Sequence, residues 1–426
     1  MGIDGGCLDW ILNQKKKDLL PNFKKFLIDG FSSHLRVSIP PVTIPSWPTL
    51  FSGLTPEQLG YYWFNHPQKG LFNSNVWQDK AIFSLKKLKQ FVLNVPGTFP
   101  AWKINGEMIA GAMSPSFSAY PLELKFFYGK NWILDGATEK EIIRAFKMKS
   151  RLFLKKIEED FNLLVFVIRM PDVMSHHVHL DIESIINHID LTYKLIDDFL
   201  GEILKSNNFD NILLISDHGL KHYRYEFNIS RWLEKEGLLF INRAKGRKIY
   251  SLIAKIFDSF RPFLKIDYKK YRKIKNRFLT RIIDDSIIID ESITSINKAK
   301  QFNSNVGGLF LEEKDKVKKH SIKQQLEKDK RIREVLLNEV EGFPDLYIIL
   351  NDKYIFNHES SFFIIRGRNT IMHSQQGLFL AYGKSIKQGT VSEVDYKDIA
   401  PTILKMFNIE KLAFMSGEPI DIFKEN

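Results

Sequence analysis

Two apolar runs, NLLVFVI (162–168) and NILLIS (211–216), constrain this chain more than any other feature. Neither alternates polar with apolar residues, so each reads as a strand buried on both faces of a sheet. Between them Ile182, Ile185, Ile186, Ile189, Ile196, Phe199, Leu200 and Ile203 recur at helical spacing, which predicts a long helix over 181–204. A strand, a long crossover helix and a second strand imply parallel neighbours. Thr138 followed by Glu141 is a capping-box pattern and predicts another helix over 138–161. A strand at GLFLAY (377–382), a turn around Gly389 and a helix in KDIAPTILKMF (397–407) complete the regular part. The expected fold class is α/β, a central and mostly parallel sheet with helices on both faces.

The chain of 426 residues is 44% hydrophobic, enough for a sizeable core. It has no internal repeat, low-complexity tract or linker, so residues 1–426 are read as one domain. Two stretches are less regular. Residues 66–135 are rich in Pro, Gly and aromatics; 222–360 mix basic helices with a strand or hairpin around VGGLFL (306–311). Both are expected to be insertions that shape a cap over the pocket. The formal charge of +12 favours phosphate-rich partners, and much of the excess falls between Lys245 and Arg281. Aliphatic residues interleave with those cations, so the segment reads as a helical cap with a solvated basic face, not as a nucleic-acid surface. Cys7 is the single cysteine, which excludes an internal disulfide framework and fits a reducing compartment. The first residues, MGIDGGCLDW, lack the pattern of a signal peptide, and no apolar run reaches spanning length. A soluble, cytoplasmic protein is the expectation.

Chemistry enters where the strands end. Asp172 follows LLVFVIRMP and Asp217 follows NILLIS, so two strands present a carboxylate at one edge of the sheet, where ligands of open α/β folds collect. His176 lies four residues after Asp172, one turn away, and His218 adjoins Asp217. An Asp after a strand is commonly a cap or turn residue. The repetition of Asp with His at successive strand ends favours metal ligation instead. Mixed carboxylate and imidazole donors suit zinc, manganese or iron better than calcium or magnesium. Thr43 in PPVTIPSW follows strand-like HLRVS (34–38) and stands near the start of a helix, with Pro45 in the first turn. Capping alone accounts for such a hydroxyl; beside a metal it becomes a nucleophile.

In order, the strings IDGG with Asp4, PPVTIPSW with Thr43, PDVMSHH with Asp172 and His176, LLISDHG with Asp217 and His218, and a late His373 resemble the alkaline phosphatase superfamily. The resemblance is to its branch of type I phosphodiesterases and nucleotide pyrophosphatases, and runs from IDGG to DIAPTILKMF. It implies two divalent metal ions, usually Zn2+, with Mn2+ and Fe also compatible. One ion would be held by Asp172, His176 and His373. The other would be held by Asp4, Asp217 and His218, with Thr43 as the nucleophile beside it. The implied activity is hydrolysis of phosphodiester, nucleotide pyrophosphate or phosphonate bonds through a phospho-threonine intermediate, on a phosphate-containing small-molecule substrate. Three residues precede Asp4, where the family has a full buried strand. Where relatives often have GKHG, this chain has EQLG (57–60). Asn65 is the nearest counterpart of the Asn that holds a phosphate oxygen in diesterases of the group, and His222, close to DHG, is a second candidate for substrate contact.

Three alternatives stand beside this reading. The same site would serve a phosphomonoesterase or a phosphotransferase. A non-catalytic anion or nucleic-acid binding protein would use the basic cap. His177 is an alternative ligand to His176. Cys7 lies in no CxPxR motif, which removes the sulfatase branch.

Overall fold

Seen from one edge, the main sheet runs Gly389–Asp395, Phe31–Arg36, Gln376–Gly383, Asn211–Ile215, Gly2–Ile3, Leu163–Ile168, Gln90–Leu93, Gly106–Ile109 and Ala119–Tyr120. All strands point the same way except Gln376–Gly383 and the edge strand Ala119–Tyr120, which run antiparallel to their neighbours. The computed structural model describes residues 1–425 apart from 14–18, 67, 112, 135–137, 177–180, 239–295, 312–315 and 358–363.

The two apolar runs are central parallel strands, but they are not adjacent. Gly2–Ile3 lies between them, Gly2 opposite both Val167 and Ile215. A crossover helix fixes direction and hand, not how many strands are skipped. A two-residue strand carries no periodicity that would announce it. Gly2 is required there by close approach, since a Cβ would sit 2.3 Å from the Trp47 ring.

Burial on both faces explains the continuous apolar runs. Phe166 and Ile168 face one layer, with Phe146, Phe153, Ile189, Tyr193 and Ile196 from helices Glu139–Ile157 and Ile182–Ser206. Val165 and Val167 face the other, with Trp47, Leu50, Phe51, Ile399 and Leu404. Each such side chain contributes roughly 1.5–3 kcal/mol on leaving water. The Thr138–Glu141 capping box is formed, and Asp181 caps the longer helix through the Ser184 amide at 2.9 Å.

Parts of the segment expected to be an insertion belong to the sheet: of 66–135, Gln90–Leu93, Gly106–Ile109 and Ala119–Tyr120 pair into it. VGGLFL is a strand, Val306–Leu311, in a separate antiparallel sheet with Ile296–Gln301, Leu346–Leu350 and Ile332–Leu337. Helix Lys316–Glu327 covers that sheet through Ile322 and Leu326. Gly389, expected in a turn, opens the edge strand Gly389–Asp395; its side chains are mostly exposed, so no apolar alternation marks it. The basic stretch Lys245–Arg281 lies outside the described residues. Among the described residues, no helix is long and apolar enough to cross a membrane.

Candidate metal and catalytic site

The carboxyl edge of the parallel strands gathers the chemistry. Asp4 directly follows Gly2–Ile3, Asp217 and His218 follow Asn211–Ile215, and Asp172 sits in the short helix Met170–Ser175 after Leu163–Ile168. Thr43 is the first residue of helix Thr43–Ser52, which follows Phe31–Arg36. His373 arrives from the opposite direction. It lies near the end of Ile365–Ser374, which feeds the antiparallel strand Gln376–Gly383, so the start of that strand meets the ends of the others. Backbone bonds lock the loops together: Asp4 N–H donates to Ile168 O at 2.8 Å, and Asp172 N–H to Asp4 O at 3.1 Å.

The side chains form two ligand groups, Asp172 with His176 and His373, and Asp4 with Asp217 and His218; within each group the ligand atoms lie within 4.8 Å of one another. His176 Nε2 and His373 Nε2 are both 3.1 Å from Asp172 Oδ1. His218 Nε2 is 3.4 Å from Asp4 Oδ1 and 3.5 Å from Asp217 Oδ2. The groups touch: His218 Nε2 is 3.8 Å from Asp172 Oδ1, and the His218 and His373 rings stack at 3.7 Å. Asp4, Asp217 and His218 are completely buried, whereas the His176 side chain is 34% exposed and marks the side open to solvent.

These residues fit a pair of cations. Asp4 Oδ1, Asp217 Oδ2 and His218 Nε2 are buried without a hydrogen-bond partner, and Asp172 Oδ1 is buried with only imidazole nitrogens beside it, an arrangement that costs free energy unless something positive completes it. The far sides of the ligands are satisfied. His373 Nδ1 lies 2.9 Å from Pro41 O, and His218 Nδ1 lies 3.2 Å from Gly219 O. Donation from Nδ1–H to those carbonyls leaves Nε2 as the lone pair turned to the site. Gly5 N–H holds Asp217 Oδ1 at 3.2 Å, and Arg169 holds the outer oxygens of Asp4 and Asp172.

Without cations the charges strain against one another. Burial, and then the Asp4 charge, push the Asp217 carboxyl well above the usual range. Burial alone would raise Asp172, but His176 and His373 outweigh it and hold that carboxyl well below the usual range. The Asp172 charge raises His176. Burial would lower His218, yet Asp217, Asp4 and Asp172 raise it to about 10. Burial and then His218 push His373 down to about 4. Shifts of opposite sign among adjacent buried groups mark a strongly coupled electrostatic cluster of the kind found at functional sites.

Thr43 is buried and lies two residues from Pro41, whose carbonyl steadies His373. The two residues expected to contact substrate are both exposed. Asn65 is exposed in the small hairpin with Gly70–Leu71, and the His222 side chain is exposed on strand Gly219–Asn228. His177 lies outside the described residues. Sequence reasoning missed Arg169, although its place three residues before Asp172 puts both on one face of a helical turn. It also missed Tyr223, whose buried hydroxyl donates to His373 O at 2.8 Å. A cavity of about 680 Å³ adjoins that strand, lined by Tyr223, Ser374, Gln375 and Arg333 among others, and contains none of the six ligands.

Gly219 completes the DHG string by necessity. A Cβ there would lie 1.9 Å from Gln376 O and 2.6 Å from Ser374 Oγ. Gly219→Ala is therefore expected to cost about 1–3 kcal/mol through forced backbone shifts and to displace His218. Thermal unfolding together with elemental metal analysis checks this; an unchanged midpoint and metal content would show that the contact relaxes without consequence.

The family model described as type I phosphodiesterase / nucleotide pyrophosphatase matches residues 1–361. No curated protein matches the chain. Human ectonucleotide pyrophosphatase / phosphodiesterase 5 superposes with a TM-score of 0.56 at 14% identity, covering 100% of this chain and 99% of that one. An inactive form of the murine protein, solved in complex with AMP, gives 0.54 at 13% identity over 96% of this chain and 95% of the other. At such identities the likeness is one of fold.

Proposed function

The chain belongs to the type I phosphodiesterase / nucleotide pyrophosphatase family and is a phosphohydrolase, and from that premise we propose a two-metal enzyme that cleaves phosphodiester or nucleotide pyrophosphate bonds through a phospho-threonine at Thr43. The observation that carries the reading is the pair of touching ligand groups whose inner carboxylate and imidazole atoms are buried and face one another. Asp172, His176 and His373 would hold one divalent ion, and Asp4, Asp217 and His218 the other. Zn2+ suits the mixed donors best, with Mn2+ and Fe as compatible occupants. When bound, the ions supply Lewis acidity that lowers the pKa of the Thr43 hydroxyl and of a water and offsets charge on the transferred phosphoryl group.

The protein's own groups do the rest. Thr43 gives up its hydroxyl proton to solvent as Oγ1 attacks phosphorus; the bond from phosphorus to the leaving oxygen breaks and that oxygen takes up a proton, leaving an ester on Thr43. Water then attacks that phosphorus, the bond from phosphorus to Oγ1 breaks, and the phosphate product leaves as Oγ1 regains a proton. Thr43 is buried, which limits the access of bulk water to its hydroxyl. The bond from His373 Nδ1 to Pro41 O fixes the loop that carries Thr43 relative to one ligand group. A structural neighbour solved with AMP supports a nucleotide as one half of the substrate.

Rates on bis-p-nitrophenyl phosphate and p-nitrophenyl phosphate test the assignment. A kcat/KM preference for the diester of about tenfold or more is expected, a difference of about 1.4 kcal/mol in the barrier. The reverse preference would replace the diesterase with a phosphomonoesterase or phosphotransferase on the same site.

A further inference from the structure

Arg169 touches both ligand groups at once. Its Nε donates to Asp4 Oδ2 at 2.8 Å, and its Nη2 donates to Asp172 Oδ2 at 3.2 Å. Asp4 belongs to one group and Asp172 to the other. In each carboxylate the oxygen not used by Arg169 is the buried one that faces the histidines. The guanidinium is a planar fork with fixed spacing between its donors. One rigid group therefore sets the rotation of two carboxylates from behind and leaves their inner oxygens for ions. The main-chain bond from Asp172 N–H to Asp4 O joins the same two residues but does not fix how their side chains turn.

We infer that Arg169 is a positioning residue that sets the separation of the two ligand groups, so that the two ions bind as one coupled pair. This rests on the two-metal reading above. A guanidinium also repels nearby cations, so its removal changes affinity by two opposing effects. Affinity alone is then a poor reporter, and the spacing of the ions is the direct one.

The full chain loaded with Mn2+ and examined by electron paramagnetic resonance reads that spacing. The wild-type protein is expected to show the spectrum of a spin-coupled Mn2+ pair. In Arg169→Met the coupled signal is expected to be lost, leaving the hyperfine pattern of isolated Mn2+. Arg169→Lys keeps the charge but has a single point donor group, which cannot hold both carboxylates in the fork geometry. Loss of coupling is expected there too, in protein whose circular dichroism matches wild type; this variant decides the matter if Arg169→Met does not fold. A coupled pair retained in either folded variant would overturn the inference. A wild-type protein that shows no coupled pair would overturn the two-metal reading itself, and the inference with it.

Discussion

Thr43→Ala is expected to lose diester hydrolysis by about 10⁴-fold or more, a barrier increase of about 5 kcal/mol, while two metal equivalents remain bound. The separation of effects follows from position. Thr43 is in neither ligand group, and its side chain is nearly fully buried at the first residue of helix Thr43–Ser52. Alanine removes Oγ1 and one methyl group but keeps Cβ, so the helix start retains its conformation. Neighbouring ligands are held by other contacts, His373 by Pro41 O and Asp217 by Gly5 N–H. Steady-state rates, elemental analysis and acid quenching of wild-type enzyme with a labelled diester would be measured together. Labelled phosphate on Thr43 in the wild type, absent from the variant, is the matching chemical result. Hydrolysis within about tenfold of wild type would mean that water attacks the substrate directly and that Thr43 serves only the helix start.

The parts of this molecule that were legible in its sequence share one property: their signal is local and dense. Leu163–Ile168 and Ile212–Ile215 are short apolar runs followed at once by polar residues, so both the strands and their ends could be placed. The capping box at Thr138 needs four residues. The ligands Asp172, His176, Asp217 and His218 inherit their legibility from those strand ends. Other elements owe their position to distant partners. Gly2–Ile3 is a strand only because Leu163–Ile168 and Asn211–Ile215 leave a gap of its width. Gln90–Leu93 is four residues long and lies among prolines and aromatics, which hid its place in the main sheet. His373 reaches the site because Gln376–Gly383 runs against its neighbours, and no local pattern records strand direction. Asn65 and His222, expected as substrate contacts, carry exposed side chains, and proximity in sequence to a motif does not decide which way a side chain points.

Asp217→Asn is expected to remove the ion held by Asp4, Asp217 and His218 while leaving the metal-free fold as stable as before, or more so. In the apo protein Asp217 is fully buried, and burial together with the Asp4 charge outweighs the attraction of His218 and disfavours its ionised form. A neutral isostere relieves that repulsion and can still accept from Gly5 N–H through its carbonyl oxygen. With metal present the sign reverses, because the charge that destabilises the apo protein is the charge that attracts the ion. Binding at a hundredfold excess over Kd stabilises the native state by about 2.7 kcal/mol, so the variant should forfeit about that much of the metal-induced rise in unfolding midpoint. His373→Ala provides the counterpart in the other group and also frees Pro41 O ahead of Thr43, so it should lose both an ion and turnover. Calorimetric unfolding with and without Zn2+, read beside metal stoichiometry, distinguishes these effects. Two equivalents retained in either variant would break the ligand assignment. An Asp217→Asn protein much less stable than wild type without metal would mean that the carboxylate has a favourable partner in the apo fold, and the unpaired cluster would then no longer argue for a cation.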